Sequence, residues 1–481
     1  MNDLICFDKI IVEKPTVTKY GFHTHYILEK DGERSACELR NKYEDSIESD
    51  NAQHFANLTC GLTAVNYGLY TREIVFEFDL GPQEIRFFED MLKKTSIEIF
   101  VSRFYQDPVF IKPEYAASES DVTLANASCK ARLIAGSGHD LTGFETDPNK
   151  IVVLSSGGKE SLLCYGLLKE AGMDVYPVYI NESGGHWRTA ITAYRSFKQN
   201  DIRTRRIWTN ADRLWAFMVR HSPLVETNIR GIKSITDPLH FFSFAYFIFS
   251  SLPLMEQEKI GNVCVGNEYI EPTKILDGRN RINDVDFFPG IYDQSQEYDR
   301  YMTRWFGDAG YGIRQWAPIR SITGYQVQKT LAKHYPELFE LQVSCHHAHK
   351  GSDRIMPCGT CQKCMRILSF CLANHLDYSK IGYDQHNVNW LKANIHKLVL
   401  AGDEELEHTF HHLSKYGFPV SGHYHSHIEK LHFDPHSSDT ENIPSDVRHK
   451  IYPLLLREAA GAIRMNADRQ WEPVDIHSLL K

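Results

Sequence analysis

The sequence predicts an α/β protein organised on a doubly wound parallel sheet, and three observations carry that expectation. Ile151-Val152-Val153-Leu154 is an aliphatic run bounded by Pro148 and a Ser/Gly cluster, the pattern of a strand buried on both faces. From Lys150 onward strand-like and helix-like segments alternate, as a parallel sheet demands. Between the first strand and the first helix stands Ser155-Ser156-Gly157-Gly158-Lys159-Glu160-Ser161, where two glycines permit a sharp turn and close approach of backbone to a ligand.

Composition bounds the rest. At 481 residues the chain is long enough for two or three domains with their own cores. Apolar content of 42% and charged content of 24% are those of an ordinary globular protein. A net charge of −9 argues against a broad nucleic-acid surface, which carries a basic excess. The first residues, MNDLICFDKIIVEK, lack a basic stretch followed by an apolar core, so no signal peptide is expected. The apolar run over residues 241–255 is shorter than the ~20 residues that span a bilayer and contains Ser243, Ser250, Ser251 and Pro253. A buried helix is expected there, and no membrane contact. The 11 cysteines, without an export signal, point to a reducing compartment, the cytoplasm.

Residues 1–145 have a texture of their own. Residues 10–12, 25–28, 74–78 and 97–101 are rich in β-branched and aromatic types and read as strands. Residues 83–94 read as an amphipathic helix with Ile85, Phe88 and Leu92 as its apolar stripe. An α+β accessory domain is expected, without a catalytic constellation: Cys60, Asn66 and Tyr70 read as core and surface. Residues 116–150, rich in Ser, Asp, Gly and Asn, read as a linker. The sheet-bearing domain spans residues 148–375. Its strands are expected at 151–154, 175–180, 204–208 and 263–266, and helices from Glu160 to Gly172, over 186–197 and around Phe241. Residues 266–311 read as an irregular polar loop, 323–334 as a helix and 338–344 as a strand. Residues 376–481 read as a helical extension for packing or partner contact, with helices at 390–400, 404–416 and 446–465.

Ligands of open α/β sheets bind beyond the carboxyl ends of the strands, where strand order reverses. The loop at Ser155, the end of the second strand at Tyr179, and Gly266-Asn267-Glu268 all fall on that edge. The Ser/Gly turn before a helix is an anion site, because unpaired N–H groups and the helix dipole point into it; a phosphate or pyrophosphate is expected. Neither the glycine-flanked GK[ST] spacing nor G-x-G-x-x-G is present. Cys345, Cys358, Cys361 and Cys364 give C-x12-C-x2-C-x2-C, four thiolates that match tetrahedral zinc in a structural site with no open position. Iron–sulfur ligation uses the same residue type, so the spacing leaves the metal open. His346, His347 and His349 read as polar surface or as supports of those ligands. His423, His425 and His427 alternate along the chain with Glu429 as the nearest acid, and read as a solvated loop.

Ser156-Gly157-Gly158-Lys159-Glu160-Ser161 resembles the SGGxDS loop of the PP-loop ATP pyrophosphatases, with Glu160 where that family usually has Asp. With Ser344-Cys345 and Cys358-Gly359-Thr360-Cys361-Gln362-Lys363-Cys364 downstream, the chain resembles the 7-cyano-7-deazaguanine synthases, which pair such a loop with a zinc site of this pattern. Tyr292-Asp293-Gln294-Ser295-Gln296-Glu297-Tyr298 is similar to the family's YPDCRPEF substrate segment, and Ala317-Pro318-Ile319 to its TPL turn. The resemblance covers residues 148–375. It departs at Ser295, at Gly324 and Tyr325, where a lysine is usual, and at Arg366, which stands one residue early.

The resemblance implies an adenine nucleotide alpha hydrolase-like fold and an ATP-dependent C–N ligase using ATP, Mg2+ and Zn2+. The carboxylate of 7-carboxy-7-deazaguanine would be adenylated with release of pyrophosphate, and an amine would displace AMP. Leu154, Ser155, Ser156, Gly157, Gly158, Lys159 and Ser161 are expected to hold ATP, with backbone at Val178, Tyr179 and Ile180 at the adenine and Gly266 nearby. Lys159, Glu160 and Ser161 are expected to be catalytic, Lys159 as a counter-charge for phosphate and Glu160 as a Mg2+ ligand through water. Asn267, Glu268, Tyr292 and Asp293 are expected to contact the deazaguanine. The added flanking regions favour a partner protein as the amine acceptor, as in synthase-like enzymes of bacterial antiviral operons of Qat and CBASS type. Ammonia as acceptor, giving the nitrile, is the alternative, and a non-catalytic ATP-binding scaffold a second. A homodimer is left open.

Overall fold

The computed structural model describes residues 2–140, 143–226, 239, 242–270, 280–288, 290–345, 347–351 and 354–480. In chain order its first strands are β1 Phe7–Val12, β2 Thr16–Thr18, β3 Gly21–Lys30, β4 Glu33–Tyr43, β5 Thr71–Leu80 and β6 Arg132–Ser137. There follow β7 Asp147–Ser155, β8 Asp174–Asn181, β9 Arg205–Thr209, β10 Ile260–Cys264, the hairpin β11 Asn280–Ile282 with β12 Val285–Phe287, and β13 Arg314–Trp316. One mixed 11-stranded sheet runs in the order β13-β10-β7-β8-β9-β4-β3-β1-β5-β6, with β2 paired to β3. The chain is therefore α/β around a large mixed sheet.

Its parallel part is β13, β10, β7, β8 and β9. Parallel neighbours require crossovers, and helices cover both faces. Along β7 the side chains alternate. Ile151 and Val153 pack with helices Lys159–Glu170, Gly185–Asn200, Gly324–His334 and Gln362–Ala373. Val152 packs on the opposite face with Ala211–His221 and Phe244–Ser250. The chain leaves β7 for β8 and β9 on one side, then returns to β10 and β13 on the other. The crevice between the carboxyl ends of β7 and β10 is thus the switch point of the sheet.

The N-terminal strands extend this same sheet. β4 pairs antiparallel with β9 through Asn41, Lys42 and Tyr43 against Thr209, Trp208 and Ile207. Asn41 Nδ2 donates to Ser250 Oγ at 2.9 Å and Tyr43 O–H to Ser250 O at 3.0 Å, so polar groups at the junction are paired. After residue 375 come helices Gln385–Asn394, Asp403–Ser414 and Ser445–Leu456 and a small sheet of Leu431–Phe433, Ala462–Met465 and Trp471–Pro473. Their apolar residues, among them Leu413, Phe433 and Ile451, join the core that holds Leu163 and Leu167.

Several expected elements differ. Residues 97–101 are not a strand: helix Pro82–Ile99 continues into a wider helical turn, Phe100–Gln106. Phe88, Leu92, Thr95 and Ile99 recur at helical spacing and are buried, and that periodicity overrides the β-branched content. Residues 338–344 are not a strand either. Pro336 opens the short helix Pro336–Phe339, and the segment after it is unladdered. The stretch 116–150 is no linker, since β6 pairs parallel with β5 and β7 begins at Asp147. Residues 266–311 include the β11–β12 hairpin and helix Gln296–Asp308, and the helix expected over 446–465 stops at Leu456, leaving Ala462–Met465 as a strand. Phe241, the centre of one expected helix, and His346 lie outside the described residues; helix Phe244–Ser250 stands just beyond. Among the described residues no helix is long and apolar enough to cross a membrane.

Candidate functional site

The turn after β7 closes on its own serines. Ser161 Oγ accepts from Ser156 N–H at 3.3 Å and donates to Gly158 O at 3.2 Å, while Ser156 Oγ accepts from Gly158 N–H at 3.4 Å. Gly157 has φ +73, and a Cβ there would lie 3.1 Å from Ala190 Cα, so both conformation and space call for glycine. Val343 N–H donates to Gly157 O at 3.1 Å and ties the segment before the cysteines to this turn. Helix Lys159–Glu170 starts at Gly158 with no side-chain cap, so its first amides face the turn. Gly266 forms the other wall: a Cβ there would stand 2.9 Å from Glu160 Cβ and 3.3 Å from Ser161 N.

Lys159 does not project into the crevice as a free counter-charge. Its side chain is 2% exposed, and its ammonium pairs with Glu160 Oε1 at 2.7 Å and with Glu268 Oε2. Burial alone would lower its pKa, but the two carboxylates outweigh burial and hold it charged. Burial pushes both carboxyls up; the Lys159 charge brings Glu160 below the usual range, while Glu268, which also faces Glu160, stays above it. A third acid joins them. Glu405, on helix Asp403–Ser414, accepts from Tyr325 N–H at 2.9 Å at the start of helix Gly324–His334 and is pushed up to about 7, first by burial and then by Glu268. Arg366 adds positive field at Glu268 and Glu405, and Lys363 does so at Glu160. The Glu268 carboxylate lies 3.1 Å from where a Cβ on Gly324 would be, so it occupies the space that a longer side chain at this position would take.

The remaining expected contacts divide. The β7–β8 ladder ends at Ser155 and Tyr179, so Ile180 and Asn181 run past the end of β7 and leave a free backbone edge toward the crevice. Val178 and Leu154 are ladder partners further in, and Tyr179 buries its ring among Tyr194 and Phe197. Asn267 is buried beside Glu268, and its Nδ2 has no hydrogen-bond partner among the described residues, a donor left over for a ligand. Tyr292 and Asp293 are placed differently. Tyr292 packs under Lys94 Nζ at 4.2 Å, and its N–H donates to Glu98 Oε2 at 3.2 Å, against the N-terminal helix. Asp293 Oδ2 accepts from Ser243, Phe244 and Ala245 N–H at 2.9, 2.7 and 3.4 Å and caps helix Phe244–Ser250. Burial pushes its carboxyl up to about 7.

The four cysteines converge. Sγ separations are 3.9 Å for Cys345–Cys361, 3.8 Å for Cys358–Cys364 and 3.6 Å for Cys361–Cys364. Metal–sulfur bonds of about 2.3 Å in a tetrahedron put sulfurs ~3.8 Å apart, so the cluster suits a metal ion such as zinc. The N–H groups of His347 and Cys358 point to Cys345 Sγ, both at 3.2 Å, the hydrogen bonds that steady a thiolate ligand. Compared with known proteins, the chain matches no family model and no curated sequence. Sequence reasoning missed Glu405, whose only signal is a buried acid on a distant helix, and it left Gly324 unexplained.

Proposed function

We propose that the chain is an ATP-dependent C–N ligase of PP-loop type that adenylates the carboxylate of a 7-deazaguanine and passes the acyl group to an amine, the favoured acceptor being a partner protein. The observation that carries the reading is the Ser156–Ser161 turn at the switch point between β7 and β10, with uncapped helix amides facing it and Asn267 Nδ2 without a partner among the described residues. A carboxylate becomes electrophilic only once an oxygen is a good leaving group. In this reaction a substrate carboxylate oxygen attacks the α-phosphorus of ATP and pyrophosphate departs. The amine then attacks the acyl carbon, AMP leaves with the bonding pair, and the amine loses a proton.

The chain's part is positioning and charge. The Gly157, Gly158 and Lys159 amides and the Ser156 and Ser161 hydroxyls would receive the pyrophosphate. The free edge of Ile180 and Asn181 suits a flat base. Two carboxylates share one buried ammonium with a third acid, Glu405, nearby, so Glu160 and Glu268 would suit Mg2+, which takes oxygen ligands and keeps its waters; the ion would neutralise phosphate charge. Zinc at the cysteines would hold the segment at Val343 against the turn. The regions flanking residues 148–375 favour a macromolecular acceptor, since ammonia needs no docking surface. The test is incubation with ATP, the deazaguanine acid, and either ammonium or candidate partner protein. A partner mass shift with AMP release is expected; nitrile from ammonium with no shift would transfer the reading to a synthase.

A further inference from the structure

Helix Asp403–Ser414 carries Glu404 and Glu407 near its start, and the segment Gly422-His423-Tyr424-His425-Ser426-His427 lies directly against it. A Cβ on Gly422 would stand 2.1 Å from Glu407 O, which shows how close the two backbones come. The segment is held at several points. His425 N–H donates to His408 Nδ1 at 3.3 Å, Thr323 O–H to Ile428 O at 3.0 Å, and Gln326 Nε2–H to Glu429 O at 2.6 Å. The alternation that a solvated loop would not use leaves His423 exposed and turns His425 and His427 inward.

Glu404 meets both inward rings. Its Oε1 lies 3.8 Å from His425 Nδ1 and its Oε2 2.9 Å from His427 Nε2, and the three ligand atoms fall within 4.8 Å of one another. Metal bonds of about 2.0–2.2 Å place tetrahedral N and O ligands ~3.4 Å apart, between these two separations. Proton positions agree. His425 Nε2 stands 2.7 Å from Glu407 Oε2; donating there, the ring keeps its Nδ1 lone pair toward Glu404. His427 Nε2 is buried and makes no hydrogen bond among the described residues, because its approach to Glu404 lacks the alignment one requires. Neither ring nitrogen is hydrogen-bonded to Glu404, and a cation between the carboxylate and the two rings would make this close approach attractive.

We propose that Glu404, His425 and His427 bind a divalent transition-metal ion of the zinc class, separate from the cysteine site, with Glu407 fixing the His425 tautomer as a carboxylate behind a ligating histidine. Three protein ligands leave a fourth position for water or a ligand atom. The neighbouring trio His408, His412 and Glu429 is the poorer donor set. His408 Nδ1 accepts the His425 N–H, which places the ring proton on Nε2, the nitrogen nearest Glu429. The ion would clamp the 422–427 segment to the helix that also delivers Glu405 to Glu268, joining the C-terminal region to the crevice.

The test is titration of metal-free full-length protein with cobalt(II), read by absorption and by bound metal per chain. Two equivalents are expected: one with thiolate-to-cobalt charge transfer, the other with weak ligand-field bands alone. Glu404→Gln and His427→Gln should each remove the second equivalent and leave the charge-transfer band, which reports in the same sample that the fold is intact. Glu407→Gln should weaken it about 10- to 100-fold. One equivalent in the unsubstituted protein, or a second equivalent lost with His412→Gln and kept with Glu404→Gln, overturns the assignment.

Discussion

Lys159 decides the character of the crevice. A buried ammonium shared by Glu160 and Glu268 is a structural charge first, because removing it leaves both carboxylates without a counter-charge. Lys159→Met should lower the unfolding free energy by about 3–5 kcal/mol. Denaturant unfolding checks this, and a loss under about 1 kcal/mol, the size of a surface pair, would mean that solvent already screens the carboxylates. Asp293 is the second such residue. The YPDCRPEF likeness marked it for substrate, but its carboxylate caps helix Phe244–Ser250, a role set by three amides distant in sequence. Its folded pKa of about 7 lies above the unfolded 3.8, so the folded state holds a proton that the unfolded state has lost. That contribution to stability is complete below about pH 4 and fades as pH rises to about 7. Asp293→Asn should remove this slope, so its stability relative to the unsubstituted protein rises across that window. Parallel pH dependences for the two proteins would contradict the account.

At the scale of elements, what was legible was local. The Ser/Gly turn after an aliphatic strand and the cysteine spacing each lie within a short stretch, and both formed as the residues indicate. Residues 97–101 are helical because burial periodicity outweighs their β-branched content, and 338–344 form no strand because Pro336 opens a short helix that takes in Leu338 and Phe339. Glu405 and the Glu404–His425 pair were illegible for another reason: tertiary packing alone brings them together. The cysteine element carries its own prediction. Val343, two residues before Cys345, is hydrogen-bonded to Gly157, so metal loss should disturb the turn as well as the cluster. Cys361→Ser should abolish the thiolate-to-cobalt band and lower Tm by several degrees. A full Tm with that band lost would show that the metal does not hold this segment.

For the whole molecule, the unexpected feature is continuity. β4 joins β9, so a region that reads as an accessory domain extends the same sheet, and residues 376–480 complete the core on one face. No pattern in β4 announces that pairing, because alternating burial looks the same beside any partner strand. The central claim concerns chemistry at the switch point of that sheet: activation of a carboxylate by ATP with pyrophosphate as leaving group. The most direct measurement is exchange of labelled pyrophosphate into ATP. The account predicts exchange that depends on 7-carboxy-7-deazaguanine, needs no amine, and is abolished by Glu160→Gln. Exchange in Glu160→Gln equal to that of the unsubstituted protein, or none in folded protein supplied with ATP, Mg2+ and the acid, would contradict it.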